Sequence, residues 1–314
     1  MEQTKSNTRV AGVDVGKAYL DVAAHGLEDT VRIANSASGF GEAIGWLKAR
    51  QIVRVGLEAS GGYERGLRAA LEAAGLEVVV HQPLEVRLFA RLRRLKAKND
   101  RIDAALIAAA TAQVDAVKAA ADPRLASLAE RLTAYEQITD KAADLKAFLE
   151  HVTLKDLARA IRAQILSLER LKATIAKTVL NQIKAHPDLS QRLKLLLSLP
   201  GVGPVVAASL IVRMPELGAM SRGQAASLLG VAPFDRDSGQ FKGQRFIGGG
   251  RSRPRRLIYL AALSAKRCDA GSKAFAERLR DRGKPPKIIV IAVMRKLIEA
   301  ANLVLSRQQP WKTA

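Results

Sequence analysis

Four carboxylates stand out by where they fall. Asp14 lies inside the apolar run Gly-Val-Asp-Val-Gly, and Glu58 ends the run Val53–Glu58, in Gly-Leu-Glu-Ala-Ser. Asp100 and Asp103, in Lys-Asn-Asp-Arg-Ile-Asp-Ala, are three residues apart and share one face of a predicted helix. A lone carboxylate in an apolar strand is costly, because burial penalises its charged form. Four converging on one place would also repel one another, and a divalent cation removes that penalty. Hard carboxylate oxygens suit Mg2+ or Mn2+. Two such ions about 4 Å apart activate a nucleophile and stabilise a leaving oxygen in phosphoryl transfer. Taken singly, each acid has a plainer use: turn or cap duty for Asp14, solvated helix charge for Asp100 and Asp103. The four together, on strand, strand and helix, point to a catalytic metal centre.

Cations lead into this set. Arg87, Arg91, Arg93, Arg94, Lys96 and Lys98 precede Asp100, as a polyphosphate substrate beside a metal would require, although any one of them also suits a solvated helix face. A second feature is Leu-Pro-Gly-Val-Gly-Pro at 199–204. A turn between helices with Gly201 and Gly203 exposes backbone N–H groups able to hold a phosphate, a helix-hairpin-helix signature; a plain turn between helices has the same look. A third is Ala-Pro-Phe-Asp-Arg-Asp-Ser-Gly at 232–239, followed by Gly248–Gly250 and by Arg251, Arg253, Arg255 and Arg256. Glycines let backbone approach phosphate, and arginines grip it bidentately. Ser238 in that company is a candidate nucleophile, given a metal or a base to assist it. Asp235 and Asp237 are near in sequence, and the base is left unassigned.

The elements that must position these groups follow from hydropathy. Residues 9–24 read as two strands with a tight turn at Gly16–Lys17, and Asp29–Asn35 as a third. Ser38 is expected to cap a helix to about Arg50, Val53–Glu58 to be a strand, Tyr63–Ala74 a helix ended by Gly75, and Leu76–His81 a strand. A helical pattern then runs from Leu84 to about Lys118. This order implies a mixed α/β sheet with packed helices. From Leu125 to His186 there is no glycine, and leucines and isoleucines recur at helical spacing, with a break near His151–Thr153. An internal bundle and an oligomerisation stalk fit that stretch equally. Helices are expected again over Leu195–Val212 (around the glycine turn), Met220–Leu229, Leu257–Arg267 and Lys287–Arg307, with an irregular, hairpin-like stretch over Ala232–Arg256.

The whole chain of 314 residues is long enough for about two domains. It holds 51 Lys and Arg against 30 Asp and Glu, a net charge of +21, and from 191 onward 23 basic residues face 7 acidic ones. Such a chain is expected to meet a polyanion. Aromatics at 4% argue against base-stacking platforms and favour contacts with the phosphate backbone. One cysteine, Cys268, excludes a disulfide scaffold and a cysteine zinc site. With no apolar leader and no run near 18 apolar residues, a cytoplasmic, nucleoid-associated protein without membrane contact is expected. No phosphate-binding Gly-x-x-x-x-Gly-Lys-Ser/Thr motif is present.

The order Asp14, Glu58, Asp100, Asp103, then Leu-Pro-Gly-Val-Gly-Pro, Ala-Pro-Phe-Asp-Arg-Asp-Ser-Gly and Gly-Gly-Gly-Arg resembles the DEDD transposases of bacterial insertion sequences, the bridge recombinases, to which pilin-gene invertases are related. The resemblance spans roughly residues 8 to 305. It implies a RuvC-like α/β domain of the ribonuclease H fold over 8–118, a helical coiled-coil oligomerisation segment over 119–190, and a mainly α transposase domain over 191–308. It also implies metal-binding roles for the four acids and a covalent phosphoserine role for Ser238. Double-stranded DNA, a dimer or tetramer in which acids and serine can come from different protomers, and in some members a structured guide RNA complete the expectation. The competing reading is a RuvC-like, structure-specific nuclease that uses the same acids and water as nucleophile.

Overall fold

The structure is a computed structural model that describes residues 9–94, 100–115, 122–235, 243 and 245–312. It comprises two compact units, 1–121 and 122–314.

In the first unit, β1 (Val10–Val15) turns through Gly16 into β2 (Tyr19–Ala24), and β3 (Thr30–Ala34) follows. Helix α1 (Ala37–Ala49) leads to β4 (Arg54–Glu58), α2 (Glu64–Ala73) to β5 (Glu77–His81), and α3 (Pro83–Leu92) and α4 (Asp100–Thr111) close the unit. The sheet order is β3-β2-β1-β4-β5. The two hairpins are antiparallel, whereas β1–β4 and β4–β5 are parallel, as their helical crossovers require. Most boundaries lie within a few residues of the sequence expectation. Ser36, not Ser38, caps α1: its hydroxyl accepts from the Gly39 N–H at 3.2 Å. The stretch read as continuously helical from Leu84 contains two separate helices, α3 and α4.

The period of two along the strands sorts the side chains. Ala11, Val13 and Val15 of β1 join Leu20, Val22, Ile33, Val55, Leu57 and Val78 in a core filled by Leu47 of α1 and by Leu67 and Leu71 of α2. The alternate residues face α4. A Cβ at Gly12 would stand 2.2 Å from the Ala108 nitrogen and 2.3 Å from the Ala104 oxygen. One at Gly56 would stand 1.9 Å from Thr111 Oγ1. Gly12 and Gly56 are register partners in the parallel β1–β4 pair. Together they form a flat seat for α4, its backbone resting on Gly12 and its Thr111 side chain on Gly56. The far end of the helix is tied by Arg54, whose Nη1 donates to the Val114 carbonyl at 2.6 Å. Arg54 begins β4, so α4 descends from the carboxyl edge of the sheet to its amino edge.

The second unit is mainly helical. Helix α5 (Pro123–Leu149) and helix α6 (Lys155–Lys184) are separated at residues 150–154, where the break was expected. Then come α7 (Pro187–Leu197), α8 (Pro204–Arg213) and α9 (Arg222–Leu229). Two short strands, β6 (Pro233–Phe234) and β7 (Phe246–Ile247), pair antiparallel. Helices α10 (Ser252–Cys268), α11 (Ala270–Asp281) and α12 (Pro286–Arg307) complete the unit; α11 had no counterpart in the sequence reading. Several helices open on proline, whose missing N–H costs nothing in the first turn. One core joins Leu128 and Leu132 of α5 and Val179 and Ile183 of α6 to α7, α8, α9, α10 and α12. Farther along α5 and α6, Phe148, Leu154, Leu157, Leu166 and Leu171 remain exposed. Among the described residues, no helix is long and apolar enough to cross a membrane.

Because neither glycine has room for a methyl group against α4, Gly12→Ala and Gly56→Ala should each destabilise the first unit by about 1–3 kcal/mol, the usual cost of overpacking. Denaturant midpoints followed by a probe in the first unit would measure it; an unchanged midpoint would mean that α4 can lift without penalty.

Candidate active site

The groups with chemistry stand in one row. Asp14 is two residues beyond Gly12, and Glu58 two beyond Gly56, so both point to the α4 side of the sheet. They follow the last registered β1–β4 pair, Val13↔Leu57, and neighbouring strands run about 4.8 Å apart. The two half-buried carboxylates therefore stand abreast at the carboxyl edge of the parallel strands. The first turn of α4 overhangs that edge and carries half-buried Asp103. The backbone of Asp100 opens the same helix; its side chain lies outside the described residues.

The row continues to both sides. Asp21 of β2 is the register partner of Asp14, and Arg32 of β3 that of Asp21. Arg32 grips Asp21 with two parallel bonds, Nε to Oδ1 and Nη2 to Oδ2, each 2.9 Å. On the other flank, His81 of β5 is the register partner of Glu58. His81 is buried, its Nε2 is 2.8 Å from Thr111 Oγ1, and the Thr111 hydroxyl donates to the Ile107 carbonyl. Burial holds the His81 pKa below its ordinary value, against the opposing pull of Glu85, whose carboxylate lies 3.9 Å from Nδ1. Sequence reading missed Asp21, Arg32 and His81. Asp21 had a signal: like Asp14, it is an acid inside an otherwise apolar strand, Leu-Asp-Val-Ala-Ala.

The loops beside the acids are fastened. The Asn35 amide donates to the Gly16 carbonyl at 2.8 Å and to the Tyr63 carbonyl at 3.4 Å, linking the turn after Asp14 to the loop after Glu58. Within that second loop the Glu64 carboxylate accepts from Ser60 N (3.1 Å), Ser60 Oγ (3.0 Å) and Gly62 N (2.8 Å). Burial pushes the Glu64 pKa up, but these bonds outweigh it and hold the carboxyl below its ordinary range.

The donor chemistry of the acid row suits a hard divalent cation. Among the described residues no three His, Cys, Asp or Glu side chains form a group able to hold a metal ion; that set omits Asp100. Of the leading cations, Arg87, Arg91, Arg93 and Arg94 are exposed, and the Arg93 guanidinium lies 5.3 Å from the Phe89 ring centroid. Lys96 and Lys98 lie outside the described residues.

In the second unit the expected phosphate-binding groups have internal work. Gly201 has φ +74°, and a Cβ there would meet the Ala261 oxygen at 2.3 Å, so this glycine lets the turn lie against α10. Gly203 caps α8 with open space around its α-carbon. Arg251 forks onto Glu216 at 2.6 and 2.7 Å. Arg253 donates to Thr133 Oγ1 (2.7 Å) and Glu136 (3.0 Å), and Arg256 pairs with Asp140, clasping α10 to α5. Arg255 donates to the Gly249 carbonyl at 2.6 Å. Ser238 lies outside the described residues; the β6–β7 pair and the 2.5 Å Asp235–Arg245 contact are described to either side of it.

Two families match the chain. Residues 11–158 match DEDD_Tnp_IS110, described as "Transposase", and residues 193–277 match "Transposase IS116/IS110/IS902 family". The chain is similar to the pilin gene-inverting proteins of Moraxella bovis and Moraxella lacunata, at 26% and 25% identity, covering 96% of both chains in each case. Among solved structures it is similar to RuvC of T. thermophilus in complex with a Holliday junction substrate, with 17% identity and a TM-score of 0.26 over 33% of this chain and 92% of that one.

The Glu64 clasp should respond to acid in a defined direction. Its carboxylate bonds are present above the ordinary glutamate pKa of 4.5 and are lost only as pH falls through the lower folded value. The amide resonances of Ser60 and Gly62 should therefore hold their shifts on titration down to 4.5 and move below it. Movement centred at or above 4.5 would show that the clasp is not made.

Proposed function

We propose a DNA strand-transfer reaction for this chain, which belongs to the DEDD-type transposases of the IS110/IS116 family and is homologous to the pilin gene-inverting proteins. The observation that carries the proposal is the acid row: Asp14 and Glu58 abreast on the carboxyl edge of β1 and β4, beneath the turn that bears Asp103. Asp14, Glu58, Asp100 and Asp103 would hold Mg2+ or Mn2+. When bound, such ions polarise the scissile phosphate and favour the charge that develops on the attacking and leaving oxygens.

The protein's own steps are these. The cations Arg87, Arg91, Arg93, Arg94, Lys96 and Lys98 bind the DNA backbone beside the acids. Ser238 supplies the nucleophile: its Oγ bonds to phosphorus, the bond to the 3′ oxygen breaks, and the proton lost by the serine balances the one gained by the leaving 3′-hydroxyl. The DNA is left joined to serine through its 5′ phosphate. A 3′-hydroxyl of the partner strand then attacks that phosphorus and returns the serine hydroxyl. Each new phosphate ester replaces an old one, so the exchange requires no nucleotide hydrolysis. Excision and insertion of an element are two such exchanges in succession.

In this reading residues 8–118 are the metal-binding domain, 119–190 the assembly segment and 191–308 the domain that brings the serine. Gly201, Gly203 and the set Arg251, Arg253, Arg255 and Arg256 shape the second unit next to DNA. The exposed Phe148, Leu157, Leu166 and Leu171 of α5 and α6 support assembly into a dimer or tetramer. A structured guide RNA is compatible with the net charge of +21.

Asp14→Asn should abolish cleavage, as should removal of Mg2+. Ser238→Ala should abolish both strand joining and the covalent protein–DNA adduct, seen as a band that survives denaturation. Cleavage by Ser238→Ala at the wild-type rate, without joining, would instead assign the acids to a water-using nuclease.

DNA affinity should fall steeply with salt. If about 6–10 phosphates are contacted, a loss of about 10³–10⁵ is expected between 50 and 200 mM salt. A flat response in a titration of labelled duplex would contradict backbone binding.

A further inference from the structure

The row of charged side chains is longer than the acid set, and Asp21 and Arg32 extend it beyond Asp14. Asp21 stands directly across the antiparallel β1–β2 pair from Asp14. Side chains in that relation have their Cβ atoms about 4.5–5.5 Å apart, and like charges so placed repel. Asp21 is 8% exposed, whereas the Arg32 side chain that holds it is 53% exposed. Both Asp21 oxygens accept from the Arg32 fork, and the Arg32 guanidinium lies 5.8 Å from the Tyr19 ring centroid. A carboxylate buried and held in this way is weak evidence for stability alone.

We propose that Asp21 and Arg32 are a positioning pair for the acid site: Arg32 occupies Asp21 so that a fifth carboxylate beside Asp14 neither repels it nor enters the metal site. The proposal rests on the assignment of Asp14 as a metal-binding acid. Its physical content is a charge count. With the fork in place the Asp21 charge is offset by that of Arg32, so the pair adds no net charge beside Asp14. Without Arg32, Asp21 adds a negative charge and two hard oxygen ligands next to Asp14. Removing the Asp21 charge leaves the region beside Asp14 one unit more positive than in the wild type. The two single changes therefore act on a bound divalent ion with opposite signs.

The test is Mn2+ binding to the full chain by titration calorimetry, alongside the thermal midpoint without metal. Arg32→Met should tighten Mn2+ binding by about tenfold, the order of a unit-charge change acting on a nearby divalent ion in a mostly aqueous medium. Asp21→Asn should weaken it by a similar factor. The double variant should bind close to wild type, and Arg32→Lys, which keeps the charge and loses the fork, should fall between wild type and Arg32→Met. Strand transfer should decline in both single variants and recover in the double. If both single variants shift Mn2+ affinity in the same direction, or neither shifts it, the pair is merely structural and the inference fails. Asp14→Asn separates the two claims: if it leaves Mn2+ binding unchanged the metal assignment itself fails, whereas if it abolishes binding while Arg32→Met has no effect, only the role of the pair is overturned.

Discussion

A helix can rest its backbone on a sheet only where the strands beneath it present no side chain. In the first unit the registered pair Gly12 and Gly56 clears that space: the α4 backbone at Ala104 and Ala108 lies on Gly12, and the Thr111 side chain lies on Gly56. Everything at the candidate site depends on this contact. Two residues farther along the same strands and on the same face stand Asp14 and Glu58. The helix that the glycines admit is the one whose first turn carries Asp103. Larger residues at either glycine would lift α4 and separate its acids from those of the strands.

The same alternation divides labour across the sheet. The face toward α1 and α2 is apolar and closes the core. The face toward α4 carries Arg32, Asp21, Asp14, Glu58 and His81 at one edge, and the Arg54–Glu77 ion pair near the other. Charge on a half-buried surface must be matched locally, and the matches are visible. Asp21 is met by Arg32, Arg54 by Glu77, and His81, its pKa lowered by burial, is bonded to Thr111. Asn35 and Glu64 then fix the two loops that leave the acid edge.

In the second unit electrostatics serve assembly of the fold as well as any ligand. Arg253 and Arg256 clasp α10 to α5, and Arg251 holds the segment before α10 to Glu216. A cluster of arginines after a run of glycines reads in sequence as a phosphate grip. In the fold each of these guanidinium groups also has an internal acceptor, supplied by residues as far away as 120 positions. Gly201 likewise serves the close approach of α10.

Local pattern was enough for much of this protein. The period of two marked the strands, the period near 3.6 marked most of the helices, and an acid inside an apolar run marked Asp14 and Glu58 as exceptional, because each of these signals is carried by neighbours along the chain. Family resemblance rested on motifs that are likewise local. Other features had no local signal. Ser38 was expected to cap α1, and the backbone gives that place to Ser36. The partners of Arg251, Arg253 and Arg256 are distant in sequence. That Asp14 stands beside Glu58, and that Asp21, Arg32 and His81 extend their row, is a matter of strand register and of the face to which each residue turns. Register is set by which strands pair, and pairing is a long-range outcome of packing a common core, so it was the tertiary structure that decided which charges became neighbours.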